Sequence, residues 1–234
     1  MKVTMKITAV MLLLAAANAA YGEDDKKLTV DVGADVVSSY VWRGQYQTGV
    51  SFQPSLSASW SGLTLGVWGS TDFSIAKEFD FTLSYEIGGL SVGITDYWIP
   101  ADGQKEGMRY FGYAKEQHLF EGNISYHFGD NLPLSLGWNT VFYGDQDLNE
   151  EDKRMYSSYF TVGYDFTVKG AECTAEVGVN PWASQFHDEF NVMSLSLTAK
   201  KSIAITSEFS LPVFVQMIFA PAKNDAHLVF GITF

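Results

Sequence analysis

Beyond residue 17 the chain has no apolar run approaching the ~20 residues that a membrane-spanning helix needs, so a helical membrane protein is excluded. It has a single cysteine, Cys173, and can form no intramolecular disulfide. That cysteine alternates with Ala171, Ala175, Val177 and Val179, which marks it as a small apolar filler rather than a reactive thiol. Proline is scarce, with 6 residues, as suits strands that must keep their ladder donors. Basic residues are also few. Against 27 Asp and Glu stand 15 Lys and Arg, a net charge of −12, and this excess of negative charge argues against a DNA or RNA partner. Histidines 118, 127, 187 and 227 are dispersed and lack metal-ligand spacing.

Glycine and aromatics, by contrast, are plentiful, with 21 glycines and 15% Phe, Trp and Tyr. Period-2 alternation of apolar and polar residues recurs from Leu28 to Phe234, and no helical period interrupts it. About twelve segments emerge, each near the length that a tilted membrane strand requires. They lie at 28–42, 50–60, 63–73, 78–87, 90–98, 117–128, 132–143, 155–166, 171–180, 192–206, 211–219 and 226–234.

Their connections alternate in length. Ser61-Gly62, Gly88-Gly89, Gly129-Asp130-Asn131, 167–170 and 207–210 are tight, and most carry the glycine that hairpin turns favour. The intervening ones are mostly longer, at 43–49, 99–116, 144–154 and 181–191, with short exceptions at 74–77 and 220–225. Short turns on one rim and long loops on the other are the outer-membrane pattern. The expected fold is therefore all-β, a transmembrane antiparallel up-and-down barrel of about twelve strands. A soluble barrel with the apolar face turned inward has the same alternation and remains the competing reading.

The two ends agree with export. Basic Met1–Lys6, apolar 7–17 and small Ala17-Asn18-Ala19-Ala20 have the plan of a cleavable leader, expected to span 1–22 with cleavage after Ala19 or Gly22. Residues 23–234 would then form the barrel. The final strand stops on Phe234 in its apolar phase and resembles the C-terminal signal read by the outer-membrane barrel-assembly machinery. The expected location is the cell outer membrane, with lipid and that machinery as partners.

Strand phase places Asp31, Asp35, Asp80, Glu86, Glu121, Asp165, Glu172 and Glu176 on the polar face, with Gln53, Asn123, Asn139 and Gln216. Trp68, Tyr97, Tyr159 and Phe214 share that face and would narrow the lumen. Arg43 should end the first strand at the loop-side rim. Asp72, Glu78 and Asp80 are its nearest carboxylates in sequence. A structural ion pair tying the first strands together is the plainer expectation there, and a selectivity constriction the functional alternative.

The segment Ser38-Ser39-Tyr40-Val41-Trp42-Arg43-Gly44 resembles the Ser-x-Tyr-x-x-Arg-Gly segment of the TorF-type porin family of small bacterial outer-membrane barrels. The likeness continues through Gly66–Phe73, Glu78–Gly93, Tyr97–Pro100 and Tyr113–Glu116 and thus covers about residues 38–116. It implies a porin-like barrel, with no catalytic residues and no particular substrate.

Other motifs dissolve on inspection. Asp145-Gln146-Asp147 begins like a calcium loop, but Glu150 and Tyr156 fill the positions of its glycine and bidentate glutamate. Ser125 and His127 share a strand face but lack the setting of an embedded lipid-modifying enzyme. The leading functional expectation is a non-enzymatic channel for small hydrophilic solutes, without cofactor or metal and preferring cations. A plugged, structural or surface-binding barrel is the alternative.

Overall fold

The computed structural model describes residues 27–74, 77–99, 110–111 and 117–234. The expected leader at 1–22 and most of the 99–116 loop lie outside these residues. Among the described residues fourteen strands are formed: β1 (Thr29–Val37), β2 (Tyr40–Trp42), β3 (Gln45–Thr48), β4 (Ser51–Trp60), β5 (Leu63–Thr71), β6 (Lys77–Ile87), β7 (Leu90–Trp98), β8 (His118–His127), β9 (Leu134–Tyr143), β10 (Ser158–Val168), β11 (Ala171–Asn180), β12 (Asn191–Ala204), β13 (Ser210–Ala220) and β14 (Asp225–Thr233).

Twelve of them close an antiparallel barrel in which every sequence neighbour is a spatial neighbour, while β2 and β3 pair only with each other. The seam is β1 against β14, in the register Asp35 to Thr233 and Val37 to Gly231. The last residue extends it, since the Phe234 N–H donates to the Ala34 carbonyl at 2.9 Å. Closure leaves no edge strand unpaired in the wall.

Turn chemistry accounts for the short rim. Ser61-Gly62, Gly88-Gly89 and Lys169-Gly170 all have positive φ at both residues, the backbone that two-residue hairpins need to match strand twist. Gly89 could not be replaced cheaply, because a Cβ there would lie 2.5 Å from the His127 carbonyl.

Closure of the ladder settles which face is inside. Apolar partners such as Leu65 and Leu83, Val92 and Ile124, Leu197 and Met217 line up on one face. That face points outward: Val32 is 79% exposed, Phe230 56% and Leu197 43%. A continuous apolar exterior of this kind is foreign to soluble monomers. The inward-facing soluble barrel is thereby overturned. Polar residues occupy the other face, in rows such as Thr82, Thr95 and Glu121, or Glu176 and Ser196.

One strand departs from expectation. The first segment was expected to run unbroken over 28–42, but the wall strand stops at Val37 and the chain turns away. Ser38 closes that end: its N–H donates to the Phe230 carbonyl and its Oγ accepts from the Phe230 N–H. Residues 40–48 then form the β2–β3 hairpin. The expected strand at 155–166 likewise begins later, at Ser158, because Tyr156 and Ser157 are held by Asp147 in the preceding loop.

Candidate functional site

The β2–β3 hairpin leaves the rim and packs inside the barrel. Its tip is Arg43-Gly44, both at positive φ (52° and 74°), a tight turn with little room around it. A Cβ on Gly44 would stand 2.2 Å from the Met193 carbonyl of β12 and 3.2 Å from the Ala220 side chain. Only glycine lets the tip seat this closely.

Arg43 reaches across the lumen to β8. Its Nη1 and Nη2 donate to the two oxygens of Glu121 at 2.8 and 2.9 Å, a bidentate fork. Glu121 is fully buried. The Tyr97 hydroxyl and the Asn123 amide also donate to it, at 2.8 and 3.1 Å. The network continues from Asn123 to Asn139 and from Thr95 to Asn123. The guanidinium also lies 4.4 Å from the Trp42 ring, 4.7 Å from Tyr159 and 5.1 Å from Phe186. Rings attract the cation that the carboxylate neutralises.

The expectation for Arg43 needs two corrections. It sits at the tip of an inward hairpin, not at the end of a wall strand. Its partner is Glu121, 78 residues away, not Asp72, Glu78 or Asp80. A register irregularity at Phe120–Glu121 on the β8–β9 ladder coincides with the meeting point, and such bulges re-aim side chains.

The 181–190 loop supplies Phe186. Asn180 shapes it, its amide donating to the carbonyls of Trp182, His187 and Glu189 while its Oδ1 accepts from Ser184. Phe186 packs with Tyr159 and Met193 beneath Trp42. The 144–157 loop is organised by Asp147, whose carboxylate accepts the Tyr156 and Ser157 N–H groups at 3.0 Å each and lies 3.5 Å from Arg154. That carboxylate is committed to the loop itself.

The remaining sequence-selected acids separate into groups. Asp80 is buried between Trp68 and Tyr97 in the ladder. Asp35 and Glu172 line a cavity of about 690 Å³ at the turn-side end, together with Thr198, Gln216 and Phe214. Asp165 accepts from Thr174 at 2.6 Å and lies 3.7 Å from His127. Glu176 is on the lumenal face beside Gly163 and Ser196. Asp31 and Glu86 approach the turn-side rim. Asp72 lies just past β5, where it accepts the Ser74 N–H and the Thr48 hydroxyl. These acids do not converge on one point.

Lys200 was overlooked. It stands opposite Glu172 and Phe214 in the register and lines the same cavity. The alternation Ser194, Ser196, Thr198, Lys200 carries the signal, blurred by Lys201 beside it. Asp96 is the second surprise, a carboxylate on the outer face in phase with Ile94 and Trp98. It is covered at the loop-side rim by His118, 3.0 Å away, and by the Tyr110 hydroxyl, which donates to it. Desolvation, then the Asp96 carboxylate, push the Tyr110 phenol above its ordinary range.

No protein-family model and no curated protein matches the chain, so the resemblance to the TorF-type porins is left without a family assignment. Among solved structures it is similar to BamA from Haemophilus ducreyi lacking POTRA domains 1–3, at 10% identity and TM-score 0.42. That match covers 84% of this chain, which spans 42% of the BamA chain. It is similar also to a triple mutant of the Rhodopseudomonas blastica porin, at 13% identity over 88% of this chain and 73% of that one, TM-score 0.38. Salmonella typhi OmpF in complex with daunomycin matches at 8% identity over 92% and 99%, TM-score 0.37. Likenesses this distant carry no functional argument, which rests on the residues above.

Proposed function

We propose that the chain is a bacterial outer-membrane barrel that passes small hydrophilic solutes, cations before anions, through a lumen constricted at its loop-side mouth by the β2–β3 hairpin. The observation that carries this reading is the inverted amphipathicity of the wall, apolar outside and polar inside. The exterior suits lipid, and a polar interior accommodates water and solute wherever the hairpin leaves room.

Cation preference follows from the balance of lumenal charge. Glu121 cancels Arg43. Asp31, Asp35, Glu86, Asp165, Glu172 and Glu176 then outweigh Lys200, and low-dielectric walls concentrate their field. Twelve strands enclose far less space than the roughly 16–18 of open porins, so the hairpin obstructs a channel that is already narrow. The reversal potential across a planar bilayer under a salt gradient tests the proposal. Cations should carry most of the current, less so at high salt as screening shortens the field. Replacing Glu172 and Glu176 together with glutamine should reduce the preference, and anion preference would refute the lumenal charge assignment.

The hairpin itself favours a second reading, a barrel closed by an internal plug. Its tip is held by a charge fork, three rings and a backbone approach that admits no Cβ. Absence of any conductance in correctly folded protein would select that reading.

A further inference from the structure

On the loop side of the constriction the lumen keeps a vestibule of about 180 Å³, lined in part by Tyr40, Trp42, Glu78, Tyr97 and Phe186. It is walled by rings: Trp42 meets Tyr97 and Phe186 edge-on, each at 5.6 Å. It also holds two carboxyl groups, Glu78 in its lining and Asp80 beside it. Glu78 takes a hydrogen bond from the Tyr40 hydroxyl. Asp80, two positions along the same lumenal face, is 8% exposed, and among the described residues its Oδ1 has no hydrogen-bond partner. Ser70 stands directly across the β5–β6 ladder from Glu78, 7% exposed, and its Oγ is equally unpartnered. Among the described residues neither carboxylate has an ion-pair partner, and the Arg43 cation nearby is committed to Glu121.

A buried charge is stable when paired, and aromatic faces attract cations. We propose that this vestibule is a binding site for small organic ammonium ions, with Glu78 as the counter-charge, Asp80 and Ser70 behind it, and Tyr40, Trp42 and Tyr97 around the apolar periphery of the ligand. The site rests on the reading of the barrel as a solute channel and names the class of solute that the loop-side mouth would select. A neutral sugar would suit the rings but leave the carboxylates uncompensated. A hydrated inorganic cation would suit the carboxylates but gain little from the rings. The volume corresponds to roughly six waters at ~30 Å³ each, which matches a compact methylated ammonium.

Isothermal titration calorimetry on the refolded full barrel in detergent tests this with tetramethylammonium chloride at constant ionic strength. Potassium chloride, glucose and sodium acetate serve as the inorganic, neutral and anionic comparisons. Saturable binding is expected for tetramethylammonium alone. Glu78→Gln should weaken it about tenfold or more, whereas Asp130→Asn, in a turn at the opposite rim, should not. Equal saturation by potassium or glucose, no saturation by tetramethylammonium, or unchanged affinity in a folded Glu78→Gln barrel would each overturn the proposal. The comparison among solutes needs only the unmodified protein, so it decides the matter even if Glu78→Gln fails to fold. Binding without conductance would sink the channel reading and spare this one. Conductance without binding would do the reverse.

Discussion

Arg43 and Glu121 meet inside the lumen, and what they contribute depends on both being present. A fork of two short charge-assisted bonds offsets the desolvation of a fully buried carboxylate. Arg43→Ala leaves Glu121 buried without a counter-charge and should cost ~3–5 kcal/mol in denaturant unfolding of the refolded barrel. Pairing Arg43→Met with Glu121→Gln should recover most of that loss, because no charge is then stranded. If the double variant is as unstable as Arg43→Ala, the ion pair is not what holds the hairpin. The four positions that carried the family resemblance each have a physical task in this chain. Ser38 closes the end of the wall strand, Tyr40 donates to Glu78, Arg43 forks onto Glu121, and Gly44 admits the close approach to Met193.

Among the elements, the β2–β3 hairpin differs from the rest, since it pairs with no wall strand and is held by side chains and its tip. Gly44→Ala puts a Cβ against the Met193 carbonyl at a φ of 74°. The hairpin should lift from its seat while the wall, with its own ladder, persists. Single-channel conductance should rise with unchanged β-content by circular dichroism, and unaltered conductance would mean that the hairpin does not obstruct the path. The turns and loops make a separate prediction about orientation. Short glycine turns collect at one rim, and the Asp147-organised and Asn180-organised loops at the other. A short epitope tag between Glu150 and Glu151 should be accessible on intact cells and one at Asp130 should not. The opposite labelling would invert the barrel in its membrane.

For the whole molecule the governing fact is that the apolar face points outward. Val162 lies on that face, paired with Leu136 and Val177, while Thr161 beside it faces the lumen with Gly137 and Gly178. Val162→Lys should block assembly, at ~2–4 kcal/mol for a lysine held in the hydrocarbon, and Thr161→Lys should assemble. Assembly yield measured by heat-modifiable electrophoretic mobility checks this. Equal yields would remove the lipid-facing assignment.

Strand number, strand phase and the inequality of the two rims were legible in the sequence because each is local. Alternation depends on neighbours two residues apart, and turn type on one or two residues with positive φ, so Leu63–Thr71 or Ala171–Asn180 reveal themselves without reference to the rest. The same locality placed Glu121, Glu172 and Glu176 on the lumenal face. Three things were beyond its reach. Alternation has no sign, so only closure of the ladder decided that Val32 and Leu197 face out. Tyr40–Trp42 have the β-rich look of the strand before them, and only the available space inside a twelve-stranded wall turned them into a hairpin. Arg43 met Glu121 rather than its sequence neighbours because the curvature of the closed sheet brings β8 opposite the hairpin tip, a distance that no local pattern encodes.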